Sequence, residues 1–447
     1  MIDPKHISDT VLARTAKCCP GGVEIYLRSS VATSVEIKDQ KVDAFERARD
    51  IGIGLRVLTD ERIGFAFTTD FTREGLATLV DGAIDNAKSI DRDPLAVLPE
   101  IAGASYSHVI IHDPVVAGIS EQEKIDRVMA MERAAYGVDS RIKRIRKASA
   151  SFSESETLIR SSRGNEVSYR STAVSASIEA VAEAGGEAQA GWDFDVRRFY
   201  KDIDIEGVGR RAASKALDLL GARHIDSVKA PVILDNAVAE EFLSILASGF
   251  SAENVQKKKS LLIGKLDRAI ASPLITIIDD GLREGGLGTA PSDDELVPTR
   301  TKTVVDKGRL SMFLYNAYTA RKDGTQSTGN GIRGGFKGIP GVGMTNLFIQ
   351  PGTITPAQLI SDTERGLLVT EIMGAHTANP ISGDFSVGAT GFWIEKGAKA
   401  YPVREITIAG NILDVMMNVD AVCSDLRFSG RIGSPSLRIK ELSISGK

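Results

Sequence analysis

Five histidines and three cysteines are all the imidazole and thiol chemistry available to this chain of 447 residues. His108 and His112 have H-x-x-x-H spacing, which on a helix would turn both imidazoles toward one zinc ion. The intervening Val109-Ile110-Ile111 and the following Asp113-Pro114 predict a strand instead. Along a strand, positions i and i+4 lie ~13 Å apart and cannot share an ion. His376 falls in a loop-like stretch and is expected at the surface, and no Gly-x-Ser-x-Gly elbow offers it a serine nucleophile. Gly329-Asn330-Gly331-Ile332-Arg333-Gly334 satisfies the G-x-G-x-x-G pattern that cradles a dinucleotide pyrophosphate. No adequate strand precedes it and no helix follows, so a mobile or tightly folded glycine loop is expected in place of a nucleotide site. Asp279-Asp280 and Asp293-Asp294-Glu295 carry the oxygen ligands that hard cations take, without EF-hand spacing, and are expected to cap turns.

The elements that must position these residues follow a repeated order. Val35-Glu36-Ile37 and Val42 to Phe45 predict a hairpin around Asp39-Gln40, and Ile51 to Leu58 with Ile63 to Phe67 predict a second around Thr59-Asp60. A helix follows, because Leu76, Leu79, Val80, Ala83, Ile84 and Ala87 share one face at the 3.6-residue period. The same order returns later. Leu158 to Arg160 turns at Arg163-Gly164-Asn165 into Val167 to Tyr169, and Val174 to Ala182 turns at Gly185-Gly186 into Glu187 to Trp192. A helix with Val208, Ala212, Ala216, Leu219 and Leu220 on one face closes the second unit, with Gly221 as its C-terminal stop. Between the units, Ser120 and Glu123 form a capping-box pattern opening a helix expected to bridge them. Hairpin-built sheets are antiparallel, so the fold class is α+β: a duplicated hairpin-plus-helix half followed by a β-rich C-terminal domain. The expected divisions are residues 1–115, 116–226 and 227–447. Leu347-Phe348-Ile349 and the alternating run Ser436 to Ile444 are strands of the last.

Composition narrows the classes of function. The chain is 42% hydrophobic and 26% charged, the balance of a globular protein. A net charge of -4 leaves no basic footprint for nucleic acid, and Lys257-Lys258-Lys259 is expected to be a solvated turn. Three cysteines, two of them adjacent at Cys18-Cys19, make no disulfide framework and no zinc ribbon. The start, Met1 to His6, lacks the apolar stretch of a secretory signal, and no window approaches the ~18 apolar residues of a membrane span. A cytoplasmic protein without membrane or nucleic-acid partners is expected.

Several C-terminal segments in fixed order resemble the TldD/PmbA family, metalloprotease-related proteins formerly described as modulators of DNA gyrase. They are Thr276 to Gly281, Ser327-Thr328-Gly329-Asn330, Thr345-Asn346-Leu347 with Pro351-Gly352, Gly366 to Val369, Ser382 to Ser386, Gly397 with Pro402-Val403, and Ile408 to Asn411. The N-terminal Gly64 to Thr68 fits the same family, so the resemblance covers nearly the whole chain. It implies that a helix in the catalytic TldD branch carries His-Glu-x-x-x-His, with a glutamate general base beside zinc. Counted back from the serine matching Ser260, that window falls on Leu243-Ser244-Ile245-Leu246-Ala247-Ser248, within the degenerate metal-helix region 237–260. Neither histidine nor glutamate stands there. TldD's cysteine-bearing insertion near the end is also missing, since Leu426 leads almost directly to Gly433-Ser434-Pro435, and Cys423 is not in its place.

What the resemblance implies is therefore the PmbA (TldE) branch, a subunit without catalytic residues or cofactor of its own. Zinc is expected only in a TldD-like partner, with which the chain forms a heterodimer unless it forms a homodimer, and the complex acts on unfolded or modified peptides. An extended peptide would be held by β-augmentation. Thr328, Gly329, Asn330, Thr345, Asn346, Gly383, Asp384 and Phe385 are the candidate residues lining that chamber. The alternative is a peptide-binding or chaperone-like homo-oligomer that performs no hydrolysis.

Overall fold

The computed structural model describes residues 3–101 and 103–446; Met1 and Ile2, which open the expected leaderless start, lie outside the described residues. The N-terminal half begins with α1 (Pro4–Thr15), capped by the Asp3 carboxylate, and then runs β1 (Val23–Lys38), β2 (Lys41–Thr59), β3 (Arg62–Thr68) and α2 (Arg73–Lys88). The second unit repeats the order with α3 (Glu121–Tyr136), β4 (Ile142–Ser161), β5 (Glu166–Ala184), β6 (Glu187–Arg197) and α4 (Ile205–Asp218).

One correction follows. The two hairpins expected in the first copy are one three-stranded meander, because β2 continues through the polar run Glu46 to Asp50. The helix opened by Ser120 touches both units but sits mainly in the second. It packs within the second unit, where Val128, Met131 and Ala135 share a core with Val208 and Ala212 of α4, and so it stands to β4 as α1 stands to β1. It also reaches the first unit: Val35 and Ile37 of β1 share its core, Arg133 donates to the Gln40 side chain, and the carboxylate of Glu132, fully buried, accepts from the backbone N–H groups of Asp39 and Gln40 at 2.9 and 2.7 Å. Both turn residues hold positive φ, so the carboxylate fixes a turn that the backbone alone disfavours.

The units join through antiparallel β1 and β4, giving one six-stranded sheet in the order β3-β2-β1-β4-β5-β6. Each unit uses the same device to seat its closing helix. A Cβ on Gly64 of β3 would stand 1.9 Å from the Ala83 carbonyl oxygen of α2, and one on Gly191 of β6 would stand 2.3 Å from that of Ala212 in α4. Any side chain there must push helix from sheet. Gly191→Val is expected to lower stability by roughly 1–3 kcal/mol or more, seen as a fall in thermal midpoint. Gly82→Ala, in α2 where a new Cβ would meet only the Ala66 methyl at 3.7 Å, is expected to raise it by about 0.5–1 kcal/mol.

The C-terminal half is β-rich, as expected. β7 (Val228–Leu234) pairs in parallel with β8 (Arg365–Met373), which leads through β9 (Asp384–Glu395) to β10 (Ala398–Asn411). The terminal strand β11 (Leu437–Ser445) pairs with β7 on one side and β10 on the other, closing these five strands into a barrel. A second sheet, built on Ile277–Asp280, Thr301–Asp306 and Leu347–Ile349, lies beside it, and both share one large core.

Candidate functional site

The window matched to the metal helix lies on α5 (Asn236–Ala247), which directly follows β7. Asp235 caps it, its carboxylate accepting from the Val238 N–H at 2.9 Å, and Val238, Phe242 and Leu246 repeat at helical spacing toward the core. The helix then tightens into a single turn at Ser248–Phe250. Gly249 lets Leu261 and Leu262 approach closely there, and the buried Ser260 hydroxyl donates to the Gly249 carbonyl at 2.8 Å. Ser260, the residue from which the window is counted, is thus a structural tie.

Within the window, Leu243 and Leu246 are fully buried, Ser244 is exposed, and the Ser248 hydroxyl turns back to the Ile245 carbonyl. Among the described residues no group of three or more His, Cys, Asp or Glu comes together as a metal site. The histidines are elsewhere. His112 meets Glu154 of β4 at 2.7 Å, His224 lies 3.9 Å from Glu405, and His376 is exposed in the turn Ala375–Thr377. Residues 104–113 form no strand, contrary to the reading of His108 to His112. Ile111 instead accepts from the Thr172 N–H of β5 at the end of an extended segment.

Carboxylates cluster around α5. Burial pushes Asp235 up to about 6 in spite of its capping bond. Desolvation, helped by the neighbouring carboxylates of Glu240, Glu371 and Asp235, pushes Glu241 up to about 7 although its side chain reaches solvent. A carboxyl whose folded pKa lies above its unfolded value holds its proton more tightly in the fold. Its presence costs nothing below about pH 4, and stability falls as pH rises from there toward 6. Asp235→Asn keeps a capping oxygen without the charge. It is expected to gain roughly 1–2 kcal/mol above pH 6 and little at pH 4 in urea titrations, whereas Asp235→Ala also loses the cap, at about 1 kcal/mol.

Five of the eight candidate chamber residues come together, in a buried network. Asp279 and Lys302 face each other across adjacent strands, 3.0 Å apart and almost wholly excluded from solvent. The Asn330 side chain accepts from Lys302 at 2.9 Å and donates to Asp279 at 2.9 Å and to the Gly343 carbonyl at 2.8 Å. Thr328 offers its carbonyl to Lys302, Gly329 turns with φ +74°, and the Thr345 N–H donates to Asp279 at 2.7 Å. Asn346 donates to Asp280 and Thr289 and accepts from the Gly288 N–H. The G-x-G-x-x-G stretch contains the first arm of a short two-stranded ribbon, Gly331–Ile332 against Gly341–Val342, joined by a long loop. Gly383, Asp384 and Phe385 stand apart, at the start of β9. Asp384 is exposed and accepts from Asn411, while Phe385 is buried edge-on against Phe242 of α5 at 5.0 Å.

A duplicated α-βββ-α half set against a barrel, with an apolar helix directly after the barrel's first strand, is an architecture found among metallopeptidase-related proteins. Family models for the PmbA/TldA metallopeptidase match residues 23–87 (domain 1), 115–220 (central domain) and 227–446 (C-terminal domain). Metalloprotease PmbA of Escherichia coli O157:H7 is 30% identical over 429 residues, 95% of this chain and 92% of that protein. A metalloprotease TldD homolog of Haemophilus influenzae is 26% identical over 457 aligned positions, at 95% and 92% coverage. Among solved structures, a putative modulator of a DNA gyrase from Thermotoga maritima superposes with TM-score 0.92 at 29% identity, covering 99% of this chain and all of that one. TldE from Thermococcus kodakarensis superposes at 0.91 with 25% identity, covering 98% and 100%. The chain belongs to the PmbA/TldD family.

The zinc that this family implies does not fit the α5 window. Leucine carries no donor atom and serine hydroxyls are outside the usual set of thiolate, imidazole and carboxylate, so the window offers zinc no ligand. No helix among the described residues is long and apolar enough to cross a membrane.

Proposed function

We propose that this chain is the subunit of a two-chain zinc peptidase that does not itself hold the metal. It pairs in the cytoplasm with a TldD-like chain and supplies part of a chamber for unfolded or modified peptides. The observation that carries this reading is α5, which keeps its cap, its apolar stripe and its seat in the core while presenting Leu243, Ser244 and Ser248 where ligands would be needed. A helix retained as scaffold and stripped of donors suits a partner more than a catalyst. The buried Asp279–Lys302–Asn330 network would then stiffen the chamber wall from behind, and the outer strands β3 and β6 leave backbone groups free for an added strand.

The test combines zinc content with cleavage of an unfolded peptide, by the purified chain alone and with a TldD-like partner added. No stoichiometric zinc, and cleavage only with the partner, is the expected result. Zinc near one per chain together with cleavage by the isolated chain would sink the proposal.

A further inference from the structure

We infer that a crevice between the N-terminal sheet and the C-terminal half binds a small oxyanion, a carboxylate or a phosphate group, through Arg28, Arg198 and Arg431. The inference does not need the two-chain reading. The crevice has a volume of about 180 Å³, with β1, β4 and β5 on one side and the segments around Ser292 and Thr345 on the other. One water needs roughly 10–15 Å³ of such space, and whole-ligand pockets usually exceed about 300 Å³, so the room suits a headgroup.

Its charge is unbalanced. Arg198 is buried, and all three of its hydrogen bonds go to neutral carbonyls, those of Gly286, Thr172 and Leu287. Burial, with Arg431 and Arg28 close by, drops its pKa to about 10, the sign of a cation held without a counter-charge. Among the described residues neither Arg28 nor Arg431 forms an ion pair. The fourth arginine, Arg333, is matched by Glu24. The two acids lining the crevice offset the other three only in part. Asp293 spends its carboxylate on the N–H groups of Gly331, Glu295 and Val297, and burial raises its pKa well above the usual range. Asp294 accepts from the Arg333 N–H and feels Arg333, Arg431 and Arg28, yet burial outweighs them and raises its pKa, so one carboxylate shared among these arginines leaves the crevice with cations in excess.

A second observation is independent of charge. The hydroxyls of Ser292 and Thr345, residues only 1% exposed that both line the crevice, have no hydrogen-bond partner. Buried hydroxyls are seldom left unsatisfied, and an anion's oxygens would satisfy both donors alongside the guanidinium groups. Carboxylate and phosphate share this chemistry, and their sources differ: a peptide carboxyl terminus or free phosphate.

The experiment is calorimetric titration of the full chain with inorganic phosphate, N-acetylglycine and N-acetylglycinamide. Saturable binding of phosphate or of N-acetylglycine, with no binding of the neutral amide, is expected, and whichever anion binds identifies the source. Arg431 is exposed, so Arg431→Gln leaves the fold intact and should weaken the anion roughly ten-fold or more, as loss of one charge-assisted hydrogen bond does. The inference fails if neither anion binds, if the amide binds as well as the acid, or if Arg431→Gln binds like the parent.

Discussion

Arg56→Ala is expected to cost about 3–5 kcal/mol and to loosen the N-terminal sheet from the C-terminal half. Arg56 on β2 lies opposite Glu24 on β1 and binds it at 2.8 Å, while its other terminal nitrogen binds Glu295 of the C-terminal half at 2.8 Å. Glu24 is shared with Arg333, and Glu295 also accepts from the Ala317 N–H at 2.7 Å. All four side chains are at most 7% exposed. Burial alone would lower the Arg56 pKa, yet the two carboxylates outweigh it and the pKa rises, so the guanidinium stays charged at any working pH. Removing it takes from Glu295 its one direct ion-pair contact among the described residues, where water cannot replace it. Arg56→Met with Glu295→Gln leaves no buried charge unpaired at this junction, because Glu24 keeps Arg333 and glutamine still offers an oxygen to Ala317. That double variant should lose less than Arg56→Ala. Urea midpoints, read beside the rate of proteolysis between the two halves, check both statements; a loss under about 1 kcal/mol for Arg56→Ala would refute the junction's role.

The duplication was legible because turn residues and helical faces are local signals. Asp39-Gln40 and Gly185-Gly186 lie at tight turns, with positive φ at all four residues, and the apolar faces of α2 and α4 are the ones buried. What misled was polarity. Glu46 to Asp50 reads as a break, yet these residues continue β2 where it is solvent-exposed, and backbone pairing with β1 needs no apolar side chain. Alternation fails in the opposite way at Val23 to Leu27, which is buried on both faces and so carries Glu24 inside. Barrel closure by β11 depends on partners over 200 residues away in sequence at β7, and no local pattern encodes that.

The candidate site was legible only as a list of segments. Thr328 to Asn330 and Thr345-Asn346 do meet, but nothing in the sequence marks their organiser, Lys302 in the strand Thr301–Asp306. Asp279 was read as a turn cap with Asp280. Only Asp280 caps, accepting from the Leu282 N–H, whereas Asp279 is a buried ion-pair partner. Likewise Asp293 caps a turn as expected while Glu295, two residues on, enters the junction with Arg56. Arg28, Arg198 and Arg431 lie in three distant segments with ordinary surroundings, so nothing in the sequence joins them.

Lys302→Met should be as damaging as loss of Arg56, about 3–5 kcal/mol, for a related reason. Its ammonium group lies 3.0 Å from Asp279, the one ion pair that carboxylate makes among the described residues, and it also holds the Asn330 side chain and the Thr328 carbonyl. Methionine matches the length of the lysine stem and offers no proton. Asp279 would keep the Thr345 N–H and the Asn330 amide, two neutral donors at 2.7 and 2.9 Å that cannot compensate a full charge at zero exposure. Asp279→Asn removes the charge from the other side and strands the ammonium instead. A double-mutant cycle over the two positions isolates their coupling, expected to exceed roughly 1.5 kcal/mol. Coupling near zero would mean that the Thr328 to Asn330 and Thr345-Asn346 segments are held by backbone packing and not by the pair. Because Thr345 also lines the arginine crevice, the same variant should weaken oxyanion binding there without touching any of the three arginines.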